Sequence, residues 1–192
     1  MGSEQGRPYY NEIFAKSKKY SCDAEQTDYY NIWLTALSWI NVNEKIGEAC
    51  CGTGQFAKLA IKKGYNYLFG VDFSDTAISI CNDKNKNNPI PFYVKDIFDE
   101  NDNPIYDSIY DTLICFEGLE HIEKDILFIS KIKPGTRLIF SVPNFDDIAH
   151  VRVFTNEKDV IDRYGEFLNF NNFYCHCFDN DSKIFLFDTV KK

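Results

Sequence analysis

Residues 47–56 read "GEACCGTGQF", and the fold turns on what this stretch is. Two adjacent cysteines, Cys50 and Cys51, run into Gly52-x-Gly54. The pattern suits a thiol site, a dinucleotide cradle or a loop that holds some other nucleotide-like cofactor. Before it, "KIGEAC" (45–50) is a short apolar run of strand character. After it, "QFAKLAIKKG" (55–64) places Phe56, Leu59 and Ala60 on one helical face and offers Gly64 as a C-cap. The order is strand, turn, helix.

Working outward, the same alternation repeats. "YLFGVD" (67–72) is a second strand, and Ser74 is placed to cap a helix through "DTAISICN" that buries Ala77, Ile78 and Cys81. "NDKNKNNP" (82–89) reads as a polar loop, "PFYV" (91–94) as a third strand and "YDTLICF" (110–116) as a fourth. "LEHIEKDILFISKI" (119–132) reads as a helix with Leu119, Ile122, Ile126 and Ile129 in register, and "RLIFSV" (137–142) as a fifth strand. A helix capped at Thr155 follows, then "EFLNFNNFYCHCF" (166–178) and "KIFLFDTV" (183–190), joined by "DNDS" as an antiparallel hairpin on the sheet edge. Strands separated by helices require right-handed crossovers. The expected fold is therefore an α/β, doubly wound, Rossmann-like seven-stranded sheet, mostly parallel, with ligands at the carboxyl ends of its strands.

Residues 1–44 stand apart, with Tyr9, Tyr10, Tyr20, Tyr29, Tyr30 and Trp33 on a helical-looking segment. They read either as a helical cap over the ligand end or as helices packed on the sheet. A length of 192 residues fits one domain, with residues 45–192 as the cofactor-binding core. A net charge of -8 repels a polyanion, so a long nucleic-acid track is not expected. No run reaches the roughly 18 apolar residues that span a bilayer, and the polar start has no signal-peptide core, so a cytoplasmic location is expected. Seven scattered cysteines read as reduced, buried thiols rather than a disulfide framework.

Glu48, Gly52, Gly54 and Asp72 fall at the ends of the first two strands. Gly52-x-Gly54-x-x-Ala57 with an acid eighteen residues on also fits a dinucleotide fingerprint, in which the acid grips ribose hydroxyls. Glu48 separates the readings: an acid beside the loop disfavours a pyrophosphate and attracts a cation or a ribose hydroxyl. The Cys50–Cys51 pair lacks a basic neighbour and a C-x-x-C spacing, which argues against a reactive thiol site.

"IGEACCGTGQFAKLA", "GVDFS", "KDIFD", "DTLICFEGLEHIEKD" and "KPGTRLIFSVPN" together resemble the successive motifs of class I S-adenosylmethionine-dependent methyltransferases, in order and spacing over roughly residues 45–160. The resemblance implies that Glu48 and the backbone around Cys50, Gly52, Thr53 and Gly54 receive the methionine part of S-adenosyl-L-methionine. It places Asp72 on the ribose diol, Phe73 beside the adenine, Asp96 on the adenine amino group with Ile97 nearby, and Phe116 and Glu117 on the path to the reactive methyl. A sulfonium is a cation, and an acidic, aromatic-rich pocket suits it. Cys50 departs from the family, standing where a glycine is usual, and implies an ordinary backbone conformation there.

"FEGLEHI" (116–122) carries the second constellation. Glu117 can share a helical face with Glu120 or His121, and two carboxylates with an imidazole can hold Mg²⁺ or Mn²⁺. With His150 in "IAHVRVFT", the stretch resembles the Glu-x-x-Glu-His metal site of small-RNA 2′-O-methyltransferases, which a distant histidine completes. Without a metal, His121 is the candidate general base, since imidazole titrates near neutrality, with His150 second. In "CHC" (175–177) a strand sends the two cysteines to one side and His176 to the other; with no second ligand pair, it reads as sheet packing. The expectation is a methyltransferase acting on an oxygen or nitrogen of a small-molecule acceptor. The alternatives are a metal-assisted 2′-O-methyltransferase of an RNA end, an NAD-dependent oxidoreductase, and a non-catalytic cofactor-binding subunit of a partner enzyme.

Overall fold

The computed structural model describes residues 2–86, 90–179 and 181–192. Its seven strands form one sheet in the order β3-β2-β1-β4-β5-β7-β6. They are β1 (Ile46–Ala49), β2 (Tyr67–Asp72), β3 (Phe92–Val94), β4 (Thr112–Phe116), β5 (Arg137–Pro143), β6 (Leu168–Cys177) and β7 (Lys183–Lys191). β1 with β2 and β2 with β3 are parallel, whereas β7 is antiparallel to both β5 and β6. The expected mostly parallel sheet with a C-terminal antiparallel hairpin is present. By compactness the chain divides into Gly6–Leu113 and a unit of Met1–Gln5 with Ile114–Lys192.

The first of these units holds α1 (Arg7–Lys16), 3₁₀ turns at Lys18–Tyr20 and Ala24–Gln26, α2 (Tyr30–Ser38), α3 (Gln55–Lys62), α4 (Asp75–Lys84) and the short α5 (Pro104–Asp107). Phe56, Leu59 and Ala60 of α3 are buried as their spacing requires, each large apolar side chain contributing about 1.5–3 kcal/mol. The Ser74 hydroxyl accepts from Ala77 N and caps α4. That helix continues through Lys84, beyond the sequence expectation, because Asn85 closes it with backbone N–H and side-chain amide bonds to Cys81 O at 3.0 and 2.8 Å. The polar loop therefore starts later than expected, and its residues 87–89 lie outside the described residues, as does Asn180 in the hairpin loop.

The N-terminal segment contains the helices its pattern implied. α2 packs on α3 through Trp33 against Phe56 at 6.3 Å, while α1 lies by the carboxyl ends of β1 and β2, with Tyr10 against Phe73 at 5.3 Å. Asn11 on α1 accepts from Ser74 Oγ at 2.6 Å and donates to Asp75 at 2.8 Å.

The second unit contains a 3₁₀ turn at Leu119–His121, α6 (Asp125–Lys131) and α7 (Glu157–Tyr164). The single helix expected over 119–132 is thus two pieces. Arg152 accounts for the break: its guanidinium donates to the carbonyls of Leu119, Ile122 and Glu123, which a continuous helix would use internally. Asp125, fully buried at the start of α6, accepts from Arg163 Nε and Nη2 at 2.7 Å each and from the Tyr164 hydroxyl at 2.7 Å, with Arg152 at 3.2 Å. The cap of α7 is Asn156, whose side chain accepts from Asp159 N, while the expected cap Thr155 bonds the Asp159 carboxylate from outside the helix. Cys177, expected in packing, is exposed on the edge strand β6, and Cys175 is half-buried.

Candidate active site

The β1–α3 turn is built from left-handed backbone. Cys50, Gly52 and Gly54 have φ of 56°, 52° and 73°. The ordinary conformation expected at Cys50 is therefore incorrect: the residue keeps the geometry for which glycine is usually used, at a steric cost of about 1–2 kcal/mol. At Gly54 a methyl group would also meet the Cys81 thiol at 2.9 Å. Cys51 N donates to Val71 O at 3.0 Å, locking the turn to the neighbouring strand.

Two buried acids flank this turn. Glu48, 3 % exposed on β1, accepts from the Tyr67 hydroxyl at 2.5 Å. Burial pushes its carboxyl up to about 8, against the pull of the Tyr67 bond and with a further push from Asp72. Asp72, at the end of β2, accepts from Gly52 N at 2.9 Å through one oxygen and from Ser74 N at 2.8 Å through the other. Burial raises it to about 6, and those two backbone bonds oppose the rise. Phe73 follows against Tyr10. Thr53 is buried, and its hydroxyl donates to Tyr20 O at 2.6 Å, so it holds the N-terminal segment down. Beyond β3, Asp96 is exposed and accepts from Phe98 N, with Ile97 buried beside it. Tyr67 and Asn11 escaped sequence reading; Tyr67 looks like strand core, and only the aromatic-rich N-terminus hinted at a segment over the turn.

In the other unit, Phe116 ends β4 and Glu117 follows it. Glu117 has φ of 46° and receives the Ser141 hydroxyl at 2.8 Å. It is not on a helix with Glu120 and His121, and it stays outside the cluster those residues form. Glu120, His121 and His150 bring one donor atom each within 4.8 Å of one another. Both imidazoles are oriented alike: His121 Nδ1 donates to Ala149 O at 3.0 Å and His150 Nδ1 to Phe145 O at 2.9 Å. His121 Nε2 lies 3.6 Å from the buried Glu120 carboxylate. Burial lowers His121 to about 4, with His150 adding to the drop. His121 is therefore neutral at physiological pH and a weak base, not the near-neutral one expected. Val151 N bonding Glu120 O at 2.9 Å and the Arg152 contacts brace the loop that carries His150.

A mostly parallel sheet in this order, with a glycine turn between two buried acids, defines a class I Rossmann-like cofactor-binding protein. A family model described as a methyltransferase domain matches residues 25–182, and the chain belongs to that family. This membership sets aside the oxidoreductase alternative. No curated protein matches at the sequence level. Among solved structures, magnesium protoporphyrin IX methyltransferase (ChlM) from Synechocystis PCC 6803 with bound SAM is similar at 18 % identity and a TM-score of 0.73, over 97 % of this chain and 95 % of that one. N-methyltransferase NodS from Bradyrhizobium japonicum WM9, in complex with S-adenosyl-l-homocysteine, is similar at 16 % identity and 0.68, over 95 % and 98 %. The [4+2]-cyclase SpnF shares the fold at 11 % identity and 0.73, over 100 % and 97 %. At these identities the likeness concerns the fold. Among the described residues no helix is long and apolar enough to cross a membrane.

Proposed function

We propose that the chain uses S-adenosyl-L-methionine to methylate an oxygen or nitrogen of a small-molecule acceptor. The observation that carries this is the pair of buried acids, Glu48 and Asp72, on adjacent parallel strands with the left-handed turn Cys50–Gly54 between them. When bound, the cofactor supplies a methyl group already activated by its sulfonium. Glu48, once ionised, meets the ammonium of the methionine part; the turn's backbone lies along it; Asp72 accepts from the ribose hydroxyls. Phe73, Asp96 and Ile97 receive the adenine, and the family resemblance assigns Phe116 and Glu117 to the methyl. The protein's work is then alignment and exclusion of water, which can be worth about 7–11 kcal/mol in such a displacement. Tyr10 and Phe14 provide apolar cover over Phe73 and Gly52. The net charge of -8 favours a small acceptor over a polyanion.

A second reading of the acceptor side rests on Glu120, His121 and His150. Two imidazoles whose Nδ1 atoms bond backbone carbonyls and one buried carboxylate suit a divalent cation such as Mn²⁺ or Mg²⁺. Glu120, His121 and His150 would hold it, and it would lower the pKa of an acceptor hydroxyl. Without it, His121 and His150 orient the acceptor through Nε2.

Calorimetry with S-adenosylhomocysteine tests the first reading: micromolar binding by the parent and at least tenfold weaker binding by Asp72→Ala are expected, and no binding by the parent ends it. Methyl transfer to a panel of small phenols, alcohols and amines then tests the acceptor class. Turnover unchanged by a chelator would remove the cation.

A further inference from the structure

The two thiols of "CHC" lie apart from the residues assigned above. Cys175 and Cys177 sit on β6, at the edge of the sheet, paired across to Phe185 and Lys183. Strand alternation puts both on one side, and their Sγ atoms are 3.9 Å apart. On the other side Tyr174 and His176 engage each other, with the Tyr174 hydroxyl 3.2 Å from His176 Nδ1. Packing explains a buried thiol; Cys177 is exposed. A disulfide does not join the two, and each carries a free Sγ.

The separation has a chemical meaning. Two thiolates bound at about 2.3 Å to a tetrahedral zinc-class ion stand about 3.8 Å apart, so this pair already has the bite of a chelate. The strand from Leu168 to Phe178 contains no Asp, Glu, Lys or Arg, and Lys183 faces Cys177 from the next strand. A divalent ion held by two thiolates is electrically neutral, so Lys183 does not oppose it. Before binding, the same lysine charge favours the thiolate of Cys175, against the burial and the Cys177 contact that hold that thiol's pKa above its usual value. Among the described residues no third Cys, His, Asp or Glu completes the set, which leaves two coordination positions for water or an added donor.

We propose that Cys175 and Cys177 chelate one soft divalent cation of the zinc and cadmium class per chain through both sulfurs. Each thiol gives up its proton to solvent, two metal–sulfur bonds form, and no oxidation state changes. The test is a titration of the reduced, metal-free full-length chain with Cd²⁺, following the ultraviolet thiolate-to-cadmium charge-transfer band and competing with Zn²⁺. The band should saturate at one equivalent per chain and reverse with Zn²⁺. Cys175→Ser or Cys177→Ser should each weaken binding about 100-fold or more, the usual loss when a second linked contact is removed. The double variant should lose the band with its circular dichroism unchanged, and Cys22→Ser should behave as the parent. Cd²⁺ on Glu120, His121 and His150 gives no thiolate band, so that cluster does not confuse the result. The proposal falls if the parent shows no band, if either single variant binds as tightly as the parent, or if the double variant keeps the band, which would place the thiolates elsewhere.

Discussion

Under the proposed function, Glu48 would make cofactor binding depend on pH. Its carboxyl is raised to about 8, chiefly by burial, so near neutrality it is mostly protonated and shares its hydrogen-bond geometry with Tyr67. A cationic amino end is bound well only by the carboxylate, and ionising the group costs ~1.4 kcal/mol for each pH unit below its pKa. Affinity for S-adenosylhomocysteine should therefore rise about sixteenfold in all between pH 6.5 and 8, most steeply at the lower end, and level off above about pH 9. At pH 7 binding should release about 0.9 proton, read from the calorimetric enthalpy in two buffers of different ionisation enthalpy. Glu48→Gln should flatten the profile, matching the parent most nearly at pH 6.5 and falling furthest behind at pH 8.5. The linked effect on the free protein has a definite sign. A carboxyl at about 8 when folded and near 4.5 when unfolded favours the fold below pH 4.5, and that contribution drains away as pH rises to 8. A parent affinity flat from pH 6.5 to 8, or an unchanged slope in Glu48→Gln, would refute the reasoning.

Three further outcomes follow from the geometry. Asp125→Ala leaves Arg152 and Arg163 without their buried carboxylate and should cost about 3–5 kcal/mol in urea unfolding. Cys50→Gly relieves the left-handed strain and, after the greater backbone entropy of glycine, should gain about 0.5–1 kcal/mol with cofactor affinity nearly unchanged; a large loss of affinity would mean that the thiol makes a contact of its own. Gly54→Ala combines a φ of 73° with a 2.9 Å approach to Cys81 and should cost more than about 2 kcal/mol, whereas Gly64→Ala, at 85° with open space around it, should cost only about 1 kcal/mol in thermal unfolding.

The strands and the glycine turn were legible because local pattern determines them: β2 occupies the six residues read for it, and Ser74 caps α4 as its position implies. What escaped reading depends on residues distant in sequence. Ile122 and Ile126 keep helical spacing, yet Arg152, some thirty residues later, takes the carbonyls that would have joined them. Glu117 fits the spacing of a metal ligand, but Ser141 holds it on the sheet. His121 looks like a neutral-pH base until its burial is known. At Cys50 the inference from residue type to conformation ran the wrong way: the turn's geometry, anchored by Cys51 and Asp72, overrides the preference of a single side chain. Thr155 and Asn156 are both good caps, and adjacent candidates leave a helix start ambiguous by one residue.

The segment from α1 to Tyr20 is fastened to the turn it covers by Asn11 on Ser74 and by Thr53 on Tyr20 O. Gln55, the first residue of α3, adds bonds to Lys19 O and Cys22 O at 3.0 and 2.8 Å. A molecule entering or leaving beside Gly52 has to loosen these polar stitches, and with them the contact of Phe14. Under the proposed function, trimming this segment is expected to speed release of S-adenosylhomocysteine, and an unchanged release rate would mean that the product leaves by another route.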